Sequence, residues 1–425
     1  MQLKRYERIG EALYQTVLPN GLTIYVCPKK DFRKNFAFFA TNYGGMDMRF
    51  ELDGTWHDTP AGVAHFLEHK MFDTEDGNAL QDLATQGASP NAFTSNAITG
   101  YYFEGTDHFL DNLKILLSFV SIPYFTQESV DKEQGIIGQE IRMIEDNPDW
   151  QVYTRLMEAM YEHHPIRTSV AGSVESISHI TADTLYACHK AFYVPSNMVL
   201  TVAGDVDPDQ VAALAEEILP KESGQPIRRD YGDEEPKTVK NTYTECRMEV
   251  ASPLFQIGYK LAPAERGPEQ LHQELLGELC CEALFGTSTP LYASLYEKGL
   301  VNGNFGYGYE AYPGCAFLCV GGESKDPKAV CDAIRAEAER ICREGVEEGL
   351  WQRLKKAVYG NRVRALNSFE SICVEQAQGH FSGVDYLSFP QVYESIHKEE
   401  VEQAIQAWIT EDHTALSIVW PKEEK

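Results

Sequence analysis

Apolar positions along the chain fall into two series of similar order, separated by a stretch that has almost none. Near the start, "EALYQTVL" (11–18) and "LTIYVCP" (22–28) have strand character and flank Pro19-Asn20-Gly21, a hairpin turn signal. "NFAFFATNYGG" (35–45) reads as a buried strand closed by glycines, and "PNAFTS" (90–95) and "TGYYFEG" (99–105) as two more. Periodic apolar spacing predicts helices over 60–72, 78–86, 107–120, 126–146, 149–161 and 181–193. The series closes with a strand, "NMVLTVAGDV" (197–206), and a helix near 207–218.

Residues 220–240, "PKESGQPIRRDYGDEEPKTVK", have a linker composition, rich in proline and charge and poor in apolar side chains. The order then begins again. A strand at "ASPLFQIGYKL" (251–261) precedes a helix over 268–285, strands at "NGNFGYGYE" (302–310) and "CAFLCVGGE" (315–323), and helices over 327–343 and 347–366. More helix follows, and "ALSIVW" (415–420) closes the chain as a strand. The expected class is α+β, with two related domains, each a mainly antiparallel sheet packed with helices. Their limits are 1–219 and 245–425, with 220–244 as linker. At 425 residues, two domains of roughly 200 residues each are of ordinary size.

Charge narrows the partners. With 64 acidic and 37 basic side chains the net charge is −27, which disfavours nonspecific binding to nucleic acid or to anionic membranes, both polyanions. The first residues lack the apolar core of a targeting peptide, and no apolar run is long enough to span a bilayer. The ten cysteines are scattered without a paired Cys-x-x-Cys frame, which fits reduced thiols and a cytoplasmic location.

The chemistry concentrates in "PAGVAHFLEHKMF" (60–72). Thr59 can cap this helix and Pro60 suits its first position. His65 and His69, four residues apart, lie one turn apart on one face, so both imidazoles can reach a single ion. Glu68 can approach a metal-bound water without taking a coordination position. Two imidazoles and a carboxylate with an open fourth position suit Zn2+. The bland alternative is a solvated helix face with a Glu-His pair. A third ligand is available in "FTQESVDKEQGIIGQEIRMIEDNP" (125–148), a helix capped by Thr126, where Glu133 and Glu140 lie two turns apart on one face. Gly135 and Gly138 between them each cost about 1 kcal/mol in a helix interior, which points to close backbone packing.

His65-x-x-Glu68-His69, followed by Glu140 in "GIIGQEIRM", resembles the inverted zinc motif of the pitrilysin-type (M16) zinc metallopeptidases. The resemblance extends through "LPNGLTIYV", "GASPNAFTSNAITGYYFE" and "FYVPSNMVLTVAGDVD", and more weakly through "LYASLYEKGLV". It is closest to short bacterial members of about this length. It implies an M16/LuxS-like metallohydrolase half-barrel in each half. It further implies that His65, His69 and Glu140 hold Zn2+, that Glu68 is the general base and that Glu133 is an acidic helper beside it. The "NAFTS" segment would be a sheet edge that receives a peptide substrate as an added strand, with Asn91, Ala92 and Phe93 as contacts.

One departure matters. Active family members carry an arginine and a tyrosine seven positions apart in the second half. Here Tyr296 falls at the arginine position and Asn302 near the tyrosine, and no arginine occurs between 268 and 334. The expected activity is zinc-dependent hydrolysis of short or unfolded polypeptides. The expected assembly is a homodimer, or a heterodimer with a related subunit that supplies the missing pair. A non-catalytic, peptide-holding subunit of the same fold is the rival reading. His163-His164 reads as a solvated helix-end pair, and the acidic run at 232–235 as a linker feature.

Overall fold

The structure, a computed structural model, describes residues 1–422. Seven strands form the first sheet: β1 (Gln2–Tyr6), β2 (Glu11–Val17), β3 (Thr23–Pro28), β4 (Asn35–Thr41), β5 (Ser89–Thr94), β6 (Thr99–Gly105) and β7 (Met198–Gly204). Their order is β1-β2-β3-β7-β4-β6-β5, antiparallel throughout except for β3 beside β7. The expected hairpin joins β2 to β3. All seven residues of β4 and of β7 are buried, which explains why both read as continuous apolar runs: helices cover both faces of the central strands.

The second sheet contains β8 (Tyr243–Met248), β9 (Leu254–Leu261), β10 (Gly306–Tyr312), β11 (Cys315–Glu323) and β12 (Thr414–Pro421) in the order β8-β12-β9-β11-β10. Here β8 runs parallel to β12 and every other pair is antiparallel. This repeats the pattern of β3-β7-β4-β6-β5 strand for strand. The duplication inferred from element order is therefore a duplication of topology.

Helices repeat as well, apart from Val174–Ile177 and Pro208–Ile218 in the first half and Phe389–Ser395 in the second. The first series is α1 (Val63–Met71), α2 (Ala79–Thr85), α3 (Phe109–Ser121), α4 (Gln127–Glu145), α5 (Pro148–Met160) and α6 (Ala182–Phe192). The second is α7 (Pro268–Phe285), α8 (Pro290–Glu297), α9 (Pro327–Glu344), α10 (Glu348–Ala365), α11 (Phe369–Ser382) and α12 (Lys398–Trp408). Among the described residues no helix is long and apolar enough to cross a membrane.

The contiguous limits 1–219 and 245–425 differ from how the chain packs. One compact unit comprises residues 1–141, 169–231 and 363–388; the other comprises 142–168, 232–362 and the chain from Phe389. The equivalent helices α5 and α11 are exchanged: α11 packs on β4 and β7, and α5 on β8, β9 and β12. Sequence periodicity shows that a helix has an apolar face but not which sheet receives it. Phe369, Ile372 and Phe381 of α11 are buried, and their burial is worth roughly 5–9 kcal/mol. That is comparable to a domain's whole stability of about 5–15 kcal/mol.

The stretch expected to be a linker is built into the fold. Arg228–Arg229 adds a strand to a small sheet of Arg49–Leu52 and Thr55–Asp58, and Arg229 pairs with Asp47 at 2.9 Å. Glu235, in the acidic run, accepts hydrogen bonds at 2.8 Å from the backbone N–H groups of Glu162, His163 and His164, and its carboxylate pairs with the buried Lys260 at 2.7 Å. β8 begins at Tyr243, inside the expected linker. Arg228, Arg229, Asp230 and Glu235 are each ion-paired, a use that composition does not reveal.

A fragment ending at residue 231 lacks α11 and is expected to show no cooperative thermal transition by circular dichroism. Co-expression with 232–425 should restore one; a cooperative melt of the fragment alone would refute the exchange as a folding requirement. Burial raises the pKa of Glu235, but Lys260 and the three N–H donors outweigh it and hold the carboxyl at about 2. Its stabilisation is complete above the usual carboxylate range and fades as pH falls towards 2. Glu235→Gln should cost about 2 kcal/mol at neutral pH and flatten the loss of stability between pH 5 and 2, checked by urea denaturation across that range.

Candidate metal centre

Helix α1 begins at Val63, not at Pro60. Thr59 instead bonds through its N–H and its hydroxyl to the Met48 carbonyl, at 2.8 and 2.9 Å. Gly62 precedes the helix with φ 95°, and a Cβ there would stand 2.6 Å from the Ala171 carbonyl oxygen. The start is thus set by a close backbone approach that only glycine permits. Val63, Phe66, Leu67 and Met71 then bury one side of α1, which turns His65 and His69 together towards α4.

α4 is capped as expected by Thr126, whose hydroxyl oxygen accepts from the Ser129 N–H at 3.2 Å. Val130, Ile137 and Ile141 are its buried side. Close packing does not explain Gly135 and Gly138: a Cβ at either would meet nothing within 4 Å. Their cost in helix propensity has no packing contact to offset it.

The two helices bring His65, His69 and Glu140 together, with one ligand atom of each within 4.8 Å of the others. His65 Nε2 lies 3.5 Å from Glu140 Oε1, and His69 Nε2 lies 3.5 Å from Glu140 Oε2. These separations are long for hydrogen bonds. They are close to the roughly 3.4 Å between neighbouring ligand atoms held tetrahedrally at about 2.0–2.1 Å from zinc. The donor set fits the ion.

Glu133 supports one side of this arrangement. Its Oε1 lies 3.3 Å from His69 Nδ1, which places the ring proton on Nδ1 and leaves the Nε2 lone pair facing Glu140. Its Oε2 lies 3.7 Å from the ammonium of Lys70, a deeply buried lysine that also pairs with Asp73. The hydrogen bond from His69 holds the Glu133 carboxyl below the usual range, against the effect of burial and with help from Lys70. Glu140 is lowered chiefly by His65. Both carboxylates are therefore ionised and suited to a cation. Burial opposes charge on His69, but Glu133, Glu68 and Glu140 outweigh it and lift its pKa. His65 Nδ1 is buried without a hydrogen-bond partner among the described residues, so its ring orientation rests on packing.

Glu68 is buried, and its Oε2 accepts a 2.7 Å hydrogen bond from the Thr94 hydroxyl, at the end of β5. β5 is the edge of its sheet, paired only with β6 among the described residues. Asn91, Ala92 and Phe93 all lie on it. The Asn91 side-chain oxygen accepts from the Ala92 N–H at 2.9 Å, and the Phe93 ring stacks on Phe38. Phe93 thus packs its side chain inward; what it offers at the edge is backbone.

Lys70 and Thr94 were not singled out from the sequence. Strand alternation places Thr94 on the face of Ala92 and away from Phe93, which was a usable signal. For Lys70, a charge inside "HKMF", nothing local indicates a buried partner.

Several residues outside the centre take other roles. His164 is not solvated: it is buried, with Nε2 2.9 Å from the Pro313 carbonyl oxygen, and Nδ1 accepts from the Ile166 N–H. Tyr296 is exposed and stacks on Tyr292. Asn302 donates to Glu323 at 3.0 Å, while Tyr307, Tyr309 and Tyr312 donate to Glu282, Gln273 and Glu310. All ten cysteines are free.

A duplicated α+β fold whose first unit gathers a His-His-Glu donor set beside a buried glutamate defines a metallopeptidase-like protein. Comparison with known proteins makes this specific. A family model described as "Insulinase (Peptidase family M16)" matches residues 53–174, and one described as "Peptidase M16 inactive domain" matches 179–358. The chain is 41% identical over 426 residues to a Bacillus subtilis protein named as an uncharacterized zinc protease, YmfH, covering 98% of each. A solved structure of an M16-like peptidase from Alicyclobacillus acidocaldarius superposes with a TM-score of 0.93 at 33% identity, covering 97% of this chain and 99% of that one. A protein named as a mitochondrial-processing peptidase subunit beta of Arabidopsis thaliana is 27% identical over 219 residues, covering 50% of this chain and 39% of that protein. This chain belongs to the M16 peptidase family.

Glu133→Ala removes the acceptor that orients His69. It is expected to weaken zinc binding by about 10- to 100-fold, measured by chelator competition. Unchanged affinity would remove Glu133 from the centre.

Proposed function

We propose that the chain is a zinc-dependent peptidase acting on short or unfolded polypeptides. The observation that carries this reading is the convergence of His65, His69 and Glu140 beside Glu68. Zinc, when bound, supplies Lewis acidity that polarises a peptide carbonyl and eases ionisation of water. Glu68 accepts the proton of the attacking water and delivers it to the departing amine nitrogen. Glu133 holds His69 in the tautomer that binds metal. The open edge of β5 seats the substrate as an added strand, through the backbone of Asn91, Ala92 and Phe93.

A second reading, a non-catalytic or peptide-holding subunit, is favoured by the absence of arginine between 268 and 334. An intermediate case is a cytoplasmic homodimer, or a heterodimer in which a related subunit brings an arginine and a tyrosine. Full turnover by the purified chain alone would remove the need for such a partner.

A fluorogenic-peptide assay run with metal analysis separates these readings. Wild type should carry zinc and cleave. Glu68→Gln should keep zinc and lose about 100- to 10,000-fold in kcat, whereas His65→Ala should lose both. Full activity in Glu68→Gln would remove the assigned base; a zinc-loaded wild type that binds peptides without cutting them would favour the holding subunit.

A further inference from the structure

Glu68 is a buried carboxylate, and among the described residues Thr94 is the one group hydrogen-bonded to its side chain. A threonine hydroxyl has a single hydrogen, and here it is directed at Glu68 Oε2, 2.7 Å away. The neighbouring Thr99 hydroxyl, 3.4 Å from Thr94, donates at 2.9 Å to the Tyr43 carbonyl and does not compete for the carboxylate. One Glu68 oxygen, Oε2, is thereby committed to Thr94.

The backbone carrying Thr94 is itself pinned. Thr94 lies opposite Thr99 in the β5–β6 ladder, and the Ser95 N–H closes the following turn onto Ile98 at 2.8 Å. The Gly45 and Met46 N–H groups bond to the Ser95 and Asn96 carbonyls at 2.9 and 3.0 Å. Gly44 allows this approach, since a Cβ there would stand 2.5 Å from the Ala97 nitrogen. The hydroxyl is therefore presented from a rigid strand end, the arrangement that keeps a reacting group within a few tenths of an ångström.

We propose that Thr94 is a positioning residue for Glu68. It locks the carboxylate rotamer and couples the base to the strand that receives the peptide. This rests on the reading of Glu68 as the proton acceptor. It adds a named group through which the substrate-binding edge and the base are one mechanical element.

The test compares Thr94→Val, which keeps shape and loses the donor, with Thr94→Ser, which keeps the donor. Thr94→Val should lower kcat by about 10- to 100-fold, with KM changed by less than about twofold and zinc content unchanged. Thr94→Ser should return kcat to within about threefold of wild type. Crystal structures of the metal-free proteins give a readout independent of turnover: Glu68 should occupy one rotamer in wild type and Thr94→Ser, and shift or split in Thr94→Val. Wild-type kcat in Thr94→Val, or an unmoved single Glu68 rotamer, overturns the proposal. An inert zinc-loaded wild type would overturn the catalytic reading instead, and the rotamer comparison alone would then decide whether Thr94 holds the carboxylate.

Discussion

Everything at the candidate centre depends on α4 delivering two carboxylates to the imidazole face of α1. Glu140 meets both Nε2 atoms at 3.5 Å, and Glu133 one turn-pair earlier meets His69 Nδ1. Two ionised carboxylates on one helix, set against the two nitrogens of one imidazole and partly withdrawn from water, would repel. Their neighbours resolve the conflict: Lys70 and His69 balance Glu133, while the two imidazoles face Glu140. His65, His69 and Glu140 could hold a divalent cation, whose charge would complete that balance.

α5 and α11 are exchanged between the two halves of the sequence. Each equivalent helix leaves its own half of the sequence and covers the central strands of the other sheet. β4 and β7 are buried along their whole length, α11 packs on both, and β6 and β5 continue the sheet from β4 to the edge beside Glu68.

The second unit reproduces the topology without the chemistry. Where the first unit has α1 with its histidines, the second has α7, a longer helix with buried leucines and cysteines. Its tyrosines on β10 are committed to carboxylates and an amide within the same unit. Duplication of a fold thus preserves strand order, which many residues share, more readily than a donor set that depends on three or four.

Local periodicity and turn chemistry determined most of the element order, β1 and β8 excepted, together with the β2–β3 hairpin, the spacing of His65, Glu68 and His69 on one helix, and the candidacy of Glu133 and Glu140. These follow from contacts within a few residues of each other. Tertiary structure alone decided which sheet received α5 and α11, that Glu235 and Lys260 pair, and that Thr59 serves Met48 while Gly62 opens the helix. It alone brought Lys70 to Glu133 and Thr94 to Glu68. Those partners are separated by 63 and 26 positions in the chain, and no local pattern encodes a hydrogen bond across such a distance. The burial that makes each partner necessary exists only once the sheets and helices have closed around it.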